Sequence, residues 1–215
     1  MGDKQLTVIF DFDGTLADTI GLVMRIYNEH AHSFHAETVE QSELNALRKL
    51  GYRRALKSKH LKWHHLPKLV AVVRKEMRQH MGEVQPYPGV VQLLHELKKQ
   101  NLIIGVLTSN DQALVQEFFT AHGFPVFDFV VSDHSIFGKD KALVKICSRH
   151  GYERQNVVYV GDEARDVIAS KKAGIHSIGV TWGGGGREML ESARPTILVS
   201  TVDELNTAVA AFTAA

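Results

Sequence analysis

Val8-Ile9-Phe10-Asp11-Phe12-Asp13-Gly14-Thr15-Leu16-Ala17-Asp18-Thr19 ends an apolar run on two aspartates, two positions apart, followed by a glycine. The run Leu6–Phe10 reads as a buried strand, so the carboxyl groups of Asp11 and Asp13 gather at its C-terminal end, where open α/β sheets bind their ligands. Gly14 lets the chain turn sharply away. Two carboxylates held close together repel, and the arrangement is tolerable when a proton or a cation sits between them. An Asx-turn that caps the following helix would use the same residue types. The rest of the chain has to decide between the two.

Downstream of Gly89 the pattern alternates. Val90–Leu97 carries apolar residues at helical spacing, and Leu102–Leu107 is a short apolar run before Thr108. A helix is predicted over Asp111–His122, a strand over Phe129–Val131, a helix over Asp140–His150 and a strand over Val157–Val160. A helix over Glu163–Ala173, a strand over Ser177–Val180, a short helix after Gly186, a strand at Ile197–Val199 and a closing helix from Val202 complete the chain. Such alternation predicts an α/β protein with a parallel sheet covered by helices on both faces.

Residues 17–85 read differently, with helical periodicity, many histidines and no strand alternation. From Gly21 to Gln85 there are twelve Lys or Arg against six acids, a balance of +6, so the remainder of a chain of net charge +1 carries −5. This segment is predicted to be a helical cap inserted after the first strand, leaving residues 1–16 and 86–215 as the core. Gln85-Pro86-Tyr87-Pro88-Gly89 marks the return, because two prolines cannot continue a helix.

The 215 residues suit one core domain with an insertion, and 44% hydrophobic residues suffice for a real core. A net charge of +1 argues against a nucleic-acid binder held by a general positive field. Met1–Leu6 is polar and charged, unlike a signal peptide, and no apolar run has the length of a membrane span, so a cytoplasmic protein is expected. The single cysteine, Cys147, excludes an internal disulfide and reads as a small core residue of a helix.

Four segments together resemble the motifs of the haloacid dehalogenase-like hydrolases, a family of aspartate-nucleophile phosphatases. They are Asp11-Phe12-Asp13-Gly14-Thr15-Leu16-Ala17-Asp18, then Ile103–Asn110, then Phe137-Gly138-Lys139-Asp140-Lys141, then Val157–Asp166 with its Gly161-Asp162-x-x-x-Asp166 acidic loop. They occur in the family's order, and the resemblance covers roughly residues 5–200. It implies a Rossmann-like, doubly wound parallel sheet with a helical cap. The implied activity is Mg²⁺-dependent hydrolysis of a small soluble phosphate ester through an aspartyl-phosphate, similar to that of phosphoglycolate phosphatases. A sugar phosphomutase keeps both aspartates and is the alternative within the fold; a non-catalytic regulatory module is the alternative outside it. No nucleic-acid or membrane partner is implied, and either a monomer or a homodimer fits.

The resemblance also implies roles. Asp11 is the expected nucleophile, and Asp13 the general acid and base, whose pKa must rise to serve near pH 7. Mg²⁺ is expected among Asp11, the Asp13 backbone carbonyl and Asp162, with Asp166 one helical turn on, facing either the same site or solvent. Thr108 is expected to hold a phosphoryl oxygen. Ser109 and Asn110 stand beside it as substrate contacts, Asn110 being equally placed to cap the next helix. Lys139 is expected to offset the gathered charge, with Lys141 as the alternative. In the cap, Arg48 in the segment Arg48–Arg53 is the expected substrate contact, since a guanidinium grips anions with two prongs. Asp18 and Thr19 read as helix-capping residues. The cap histidines read as surface positions rather than a second metal site. Gly183–Gly186 resembles the loop after the fifth strand of phosphoglycolate-phosphatase-like members, and has equally the composition of a flexible connection.

Overall fold

Thr7–Phe10 forms strand β1, buried along its whole length. The other strands are β2 (Ile103–Thr108), β3 (Phe129–Ser132), β4 (Val157–Gly161), β5 (His176–Val180) and β6 (Ile197–Val199). In this computed structural model, which describes residues 5–50, 52–133 and 138–213, they make one parallel sheet in the order β3-β2-β1-β4-β5-β6. The winding reverses between β1 and β4, and that switch point is where open α/β sheets form their binding crevice. Phe10 is level with Val106 on one side and Val160 on the other, so β1, β2 and β4 end together.

The strands are continuous apolar runs because both faces are covered. Successive side chains point to opposite faces. On one face Val8, Phe10, Ile104, Val106, Val158 and Val160 pack with α5 (Val90–Lys99), α6 (Gln112–Ala121) and α10 (Val202–Thr213), elements that come after the cap helices α1 (Ile20–His30), α2 (Leu44–Leu50), α3 (Tyr52–Ser58) and α4 (Leu66–His80). On the other face Ile9, Leu107, Val157 and Tyr159 pack with α7 (Lys139–His150) and α8 (Ala164–Ala173), with Cys147 among them as a buried residue of α7. A short α9 (Arg187–Ala193) precedes β6. This is the doubly wound sheet that the alternating pattern predicted, with its helical cap inserted between β1 and α5.

The cap has a small core of its own, in which Tyr27, Phe34, Leu61, Leu66 and Leu69 are buried together. It is not an independent module, because Leu22, Ile26, Met77, Met81 and Val84 join the main cluster beneath it. Two exposed ion pairs also bridge cap and core, Lys49 to Glu188 at 3.0 Å and Arg78 to Asp111 at 2.7 Å. Of the cap histidines, His32, His35, His60 and His64 are exposed as expected, whereas His30 is half-buried against Glu76 at 2.6 Å and His65 bonds the Phe34 carbonyl at 3.1 Å. Among the described residues no helix is long and apolar enough to cross a membrane.

Gly105 sits mid-strand, where glycine ordinarily weakens a sheet. Its reason is Phe129 on β3: a Cβ on Gly105 would stand 2.1 Å from that ring. Gly105→Ala is therefore expected to destabilise the fold by about 1–3 kcal/mol through overpacking, read as a lower urea midpoint. Combined with Phe129→Ala the losses should be less than additive; strictly additive losses would show that the ring is not the obstacle.

Candidate active site

Asp11 is the first residue beyond β1. Its N–H donates to the Val160 carbonyl at 2.8 Å, which keeps the backbone in the sheet while the buried carboxyl turns into the crevice. α7 begins at Lys139, itself buried, and its Nζ donates to Asp11 Oδ2 at 2.5 Å and to Asp166 Oδ1 at 2.7 Å. The ammonium also lies 5.4 Å from the centre of the Tyr159 ring. Lys141, two residues on, is exposed. Phe137, which precedes this helix in the sequence motif, lies outside the described residues.

Asp162 follows β4 at the same edge. Its Oδ1 accepts from the Thr15 hydroxyl at 3.2 Å and its Oδ2 from the Gly184 N–H at 2.6 Å. Thr15, to which the sequence motifs assign no role, is thus part of the site. In the stretch Gly183–Gly186, which has the composition of a flexible connection, Gly183, Gly184 and Gly185 instead pack against it. Asp166 is buried on the first turn of α8, and its Oδ2 accepts from the Glu163 N–H at 3.0 Å, which rules out the solvent-facing alternative. Glu163 caps α8 and pairs with Arg165 at 2.7 Å.

Asp13 has a different company. Its two carboxylate oxygens accept from Asn110 Nδ2 at 3.0 and 2.8 Å, and the Thr19 hydroxyl is a further hydrogen-bond partner. Thr19 stands at the N-cap position of α1 but makes no capping bond with its side chain, so its expected structural role is replaced by this contact. Asn110 is no cap either. The cap of α6 is Asp111, whose carboxyl accepts from Ala113 N–H at 3.0 Å. The Asn110 N–H donates to Thr108 Oγ1 at 3.0 Å, and its carbonyl accepts from Ser132 Oγ, so β2 and β3 together hold its position. Thr108 is buried, and Ser109 is half-buried at the rim between them.

Burial raises both aspartates, against different partners. Burial pushes the Asp11 carboxyl up to about 7, against the pull of the Lys139 ammonium and with the added push of Asp166. Burial also raises Asp13, while the Thr19 and Asn110 hydrogen bonds draw it back. Asp162 is driven well above the carboxylate range by burial first, then by repulsion from Glu163, Asp166 and Asp11. For Lys139, burial pulls the pKa down, but Asp11 and Asp166 outweigh it and hold it well above the lysine range.

Carboxylate oxygens of Asp11, Asp162 and Asp166 lie within 4.8 Å of one another, all buried. Three carboxylates facing one ammonium leave a negative excess, and their hard oxygens suit a divalent cation. The cluster could hold one. The side chain of Asp13 is not among these oxygens, so any part it takes in cation binding falls to its backbone carbonyl.

On the cap side a cleft of about 640 Å³ opens between α1 and the aromatic pair Tyr87 and Trp182. Asp18 and Ile20, on either side of Thr19, form part of its wall. Arg25, also on the wall, is tied to Glu83 at 2.7 Å. Arg48 falls on α2, but its side chain, like Gly51 as a whole, lies outside the described residues.

A family model of haloacid dehalogenase-like hydrolases matches residues 8–180. The chain belongs to this family. The hydrolase is 33% identical over 203 residues to the phosphoglycolate phosphatase of Synechococcus elongatus, which covers 94% of this chain and 96% of that one. It is 24% identical to the pyrophosphatase PpaX of Bacillus cereus, over 94% of this chain and 95% of the relative. A predicted phosphatase from Clostridium acetobutylicum has the same fold, with a TM-score of 0.79 at 23% identity, covering 96% of this chain and 99% of that one. The hydrolase is accordingly an enzyme of phosphatase type.

The raised Asp11 pKa has a consequence for stability. Between the ordinary carboxylate range and about pH 7 the folded hydrolase holds a proton that the unfolded chain has released. Its stability should therefore fall as pH rises through that window. A divalent cation held by the cluster would substitute for the proton, so its stabilising effect should grow with pH. In protein stripped with EDTA, the rise in Tm on adding Mg²⁺ is expected to be larger at pH 8 than at pH 5.5. Equal shifts at both values would contradict this reading of the cluster.

Proposed function

We propose that the hydrolase is a Mg²⁺-dependent phosphomonoesterase acting on a small soluble phosphate ester, similar to phosphoglycolate phosphatases, by way of an aspartyl-phosphate on Asp11. The observation that carries the proposal is the unequal treatment of two aspartates in one turn. Asp11 meets the Lys139 ammonium and the other clustered carboxylates, whereas among the described residues Asp13 accepts from the neutral donors Asn110 and Thr19. The first setting suits an attacking carboxylate held beside cations, and the second a carboxyl group that holds and moves a proton.

Bound to Asp11, Asp162 and Asp166, together with the Asp13 carbonyl, Mg²⁺ would neutralise equatorial phosphoryl charge and suppress the repulsion among the carboxylates. Asp11 Oδ1 or Oδ2 then attacks phosphorus in line with the leaving oxygen. Asp13, whose pKa burial raises, donates its proton to that oxygen and afterwards withdraws one from water to cleave the acyl phosphate. Thr108, whose oxygen accepts from Asn110 N–H, keeps its own proton to donate to a phosphoryl oxygen, with Ser109 beside it. Lys139 compensates the charge that accumulates on Asp11 and the phosphoryl group. The leaving group extends toward the cap, with Arg48 as its proposed contact. Asn110, the other proposed substrate contact, also holds Asp13 through its amide.

A panel of small metabolite phosphates, assayed for released phosphate with and without EDTA, tests the reading. Release from at least one should require the cation. A mutase would return phosphorylated sugar with little free phosphate, and no turnover of any kind with Mg²⁺ present would favour a regulatory module. Asp11→Asn should abolish turnover of an aryl phosphate, and rates equal to the parent would end its role as nucleophile. Asp13→Asn should lower kcat by about 10²–10⁴-fold while the Mg²⁺-induced rise in Tm persists.

A further inference from the structure

The loop after β5 lies against Asp162 more closely than any side chain would allow. A Cβ on Gly183 would stand 2.2 Å from the Gly14 carbonyl oxygen and 2.3 Å from Asp162 Cβ, and one on Gly185 would stand 2.0 Å from the Asp162 carbonyl oxygen. These obstacles are mostly backbone, which cannot swing aside. Gly184, between them, is different: its Cβ would meet Asp162 Oδ2 at 3.5 Å and Ile20 Cδ1 at 3.8 Å, ordinary contact distances. What Gly184 supplies is its N–H, 2.6 Å from Asp162 Oδ2.

Opposite this loop the other oxygen of Asp162 is held by the Thr15 hydroxyl. Thr15 is in turn held from the loop, because the Trp182 indole N–H donates to its carbonyl at 3.1 Å. Gly14 permits the approach from this side. Its φ of +72° is a left-handed conformation, and a Cβ there would fall 2.3 Å from Asp162 Oδ2. Both oxygens of a buried carboxylate are thus gripped by donors from two segments that are far apart in sequence and tied to each other by one indole.

We propose that the Trp182–Gly185 loop and Thr15 together are a positioning device for Asp162 and set the affinity of the carboxylate cluster for its cation. Each donor uses one lone pair of an oxygen and restrains the carboxyl plane, in a group with an oxygen within 4.8 Å of those of Asp11 and Asp166. Groups that orient a ligating side chain are typically worth 10–100-fold in metal affinity. The proposal rests on the Mg²⁺-dependent reading of the cluster under Proposed function.

The test is cation binding, measured without turnover. Mn²⁺ would be titrated into EDTA-stripped protein and followed by electron paramagnetic resonance, and the Tm shift with Mg²⁺ read in parallel. Thr15→Val, Gly183→Ala and Gly185→Ala should each weaken Mn²⁺ binding by about 10–100-fold. Thr15→Ser, which keeps the hydroxyl, and Gly184→Ala, which keeps the N–H and has room, should bind as the parent does. If the two crowded glycine variants fail to fold, the comparison of Thr15→Val with Thr15→Ser decides alone. A parent that binds Mn²⁺, with Thr15→Val binding it equally well, overturns the positioning proposal and leaves the phosphatase reading intact. A parent that binds neither Mn²⁺ nor Mg²⁺ overturns the cation reading, and this proposal with it.

Discussion

The Lys139 ammonium between Asp11 and Asp166 is the contact on which the crevice depends. Two buried carboxylates converge on it at 2.5 and 2.7 Å, and Asp162 completes the acidic cluster. Removing one partner from a buried charge network leaves the others uncompensated, at a cost of about 3–5 kcal/mol. The topology explains why the network forms at all. β1 brings Asp11, β4 brings Asp162, and both end at the same level beside the switch point. α7 crosses from β3 back to β4, so its first residue arrives over that edge. A cluster of like charges is not what a sheet needs for stability; it is tolerated because an ammonium and, in the proposed working state, a divalent cation share it.

The two aspartates of the opening motif diverge because of what the next strand offers. β2 presents Thr108 and Asn110 at the rim rather than a cation, and Asn110 spends its amide on Asp13. The backbone of Asn110 is itself pinned by Thr108 and Ser132, so the orientation of Asp13 derives from β2 and β3, whereas that of Asp11 derives from β1, β4 and α7. In the proposed mechanism, motion of one half of the sheet edge would disturb proton transfer, and motion of the other would disturb attack.

Most of the architecture was legible because strands buried on both faces are unbroken apolar runs, each followed by a helix of clear period; all six strands lie where those runs predicted. What remained ambiguous were choices between neighbours. Lys139 and Lys141 differ by more than half a turn of helix, so only the position at which α7 starts decides which one reaches Asp11. Asn110 and Asp111 are both competent caps; Asp111 caps α6 because Asn110 is engaged by Asp13, a residue distant in sequence. Thr15 and the glycines at 183–185 left no local trace of their role, since it depends on contact with Asp162, and a run of glycines reads the same whether it is loose or tightly packed. Asp166 could be placed on the correct helical face, but its burial depended on Lys139 coming from another element.

The cap raises a separate question of what holds it down. Its stretch from Gly21 to Gln85 carries +6 against −5 on the remainder of the chain, and two ion pairs among the described residues that cross the boundary, Lys49 to Glu188 and Arg78 to Asp111, are both exposed. Exposed pairs contribute at most about 1 kcal/mol each and weaken with salt. The shared apolar cluster holds more strongly. Leu22, Ile26, Met77, Met81 and Val84 are nearly or fully removed from water, and a fully buried side chain of this kind is worth about 1.5–3 kcal/mol. The base of the cap is therefore fastened by burial, close to where the Asp18 N–H donates to the Gln85 carbonyl at 2.9 Å, and Arg78 reaches Asp111 from within that base, between Met77 and Met81. Under the proposed function the positive sign of the cap would have a second use, since its field over an acidic crevice would draw an anionic ester to a site that otherwise repels it.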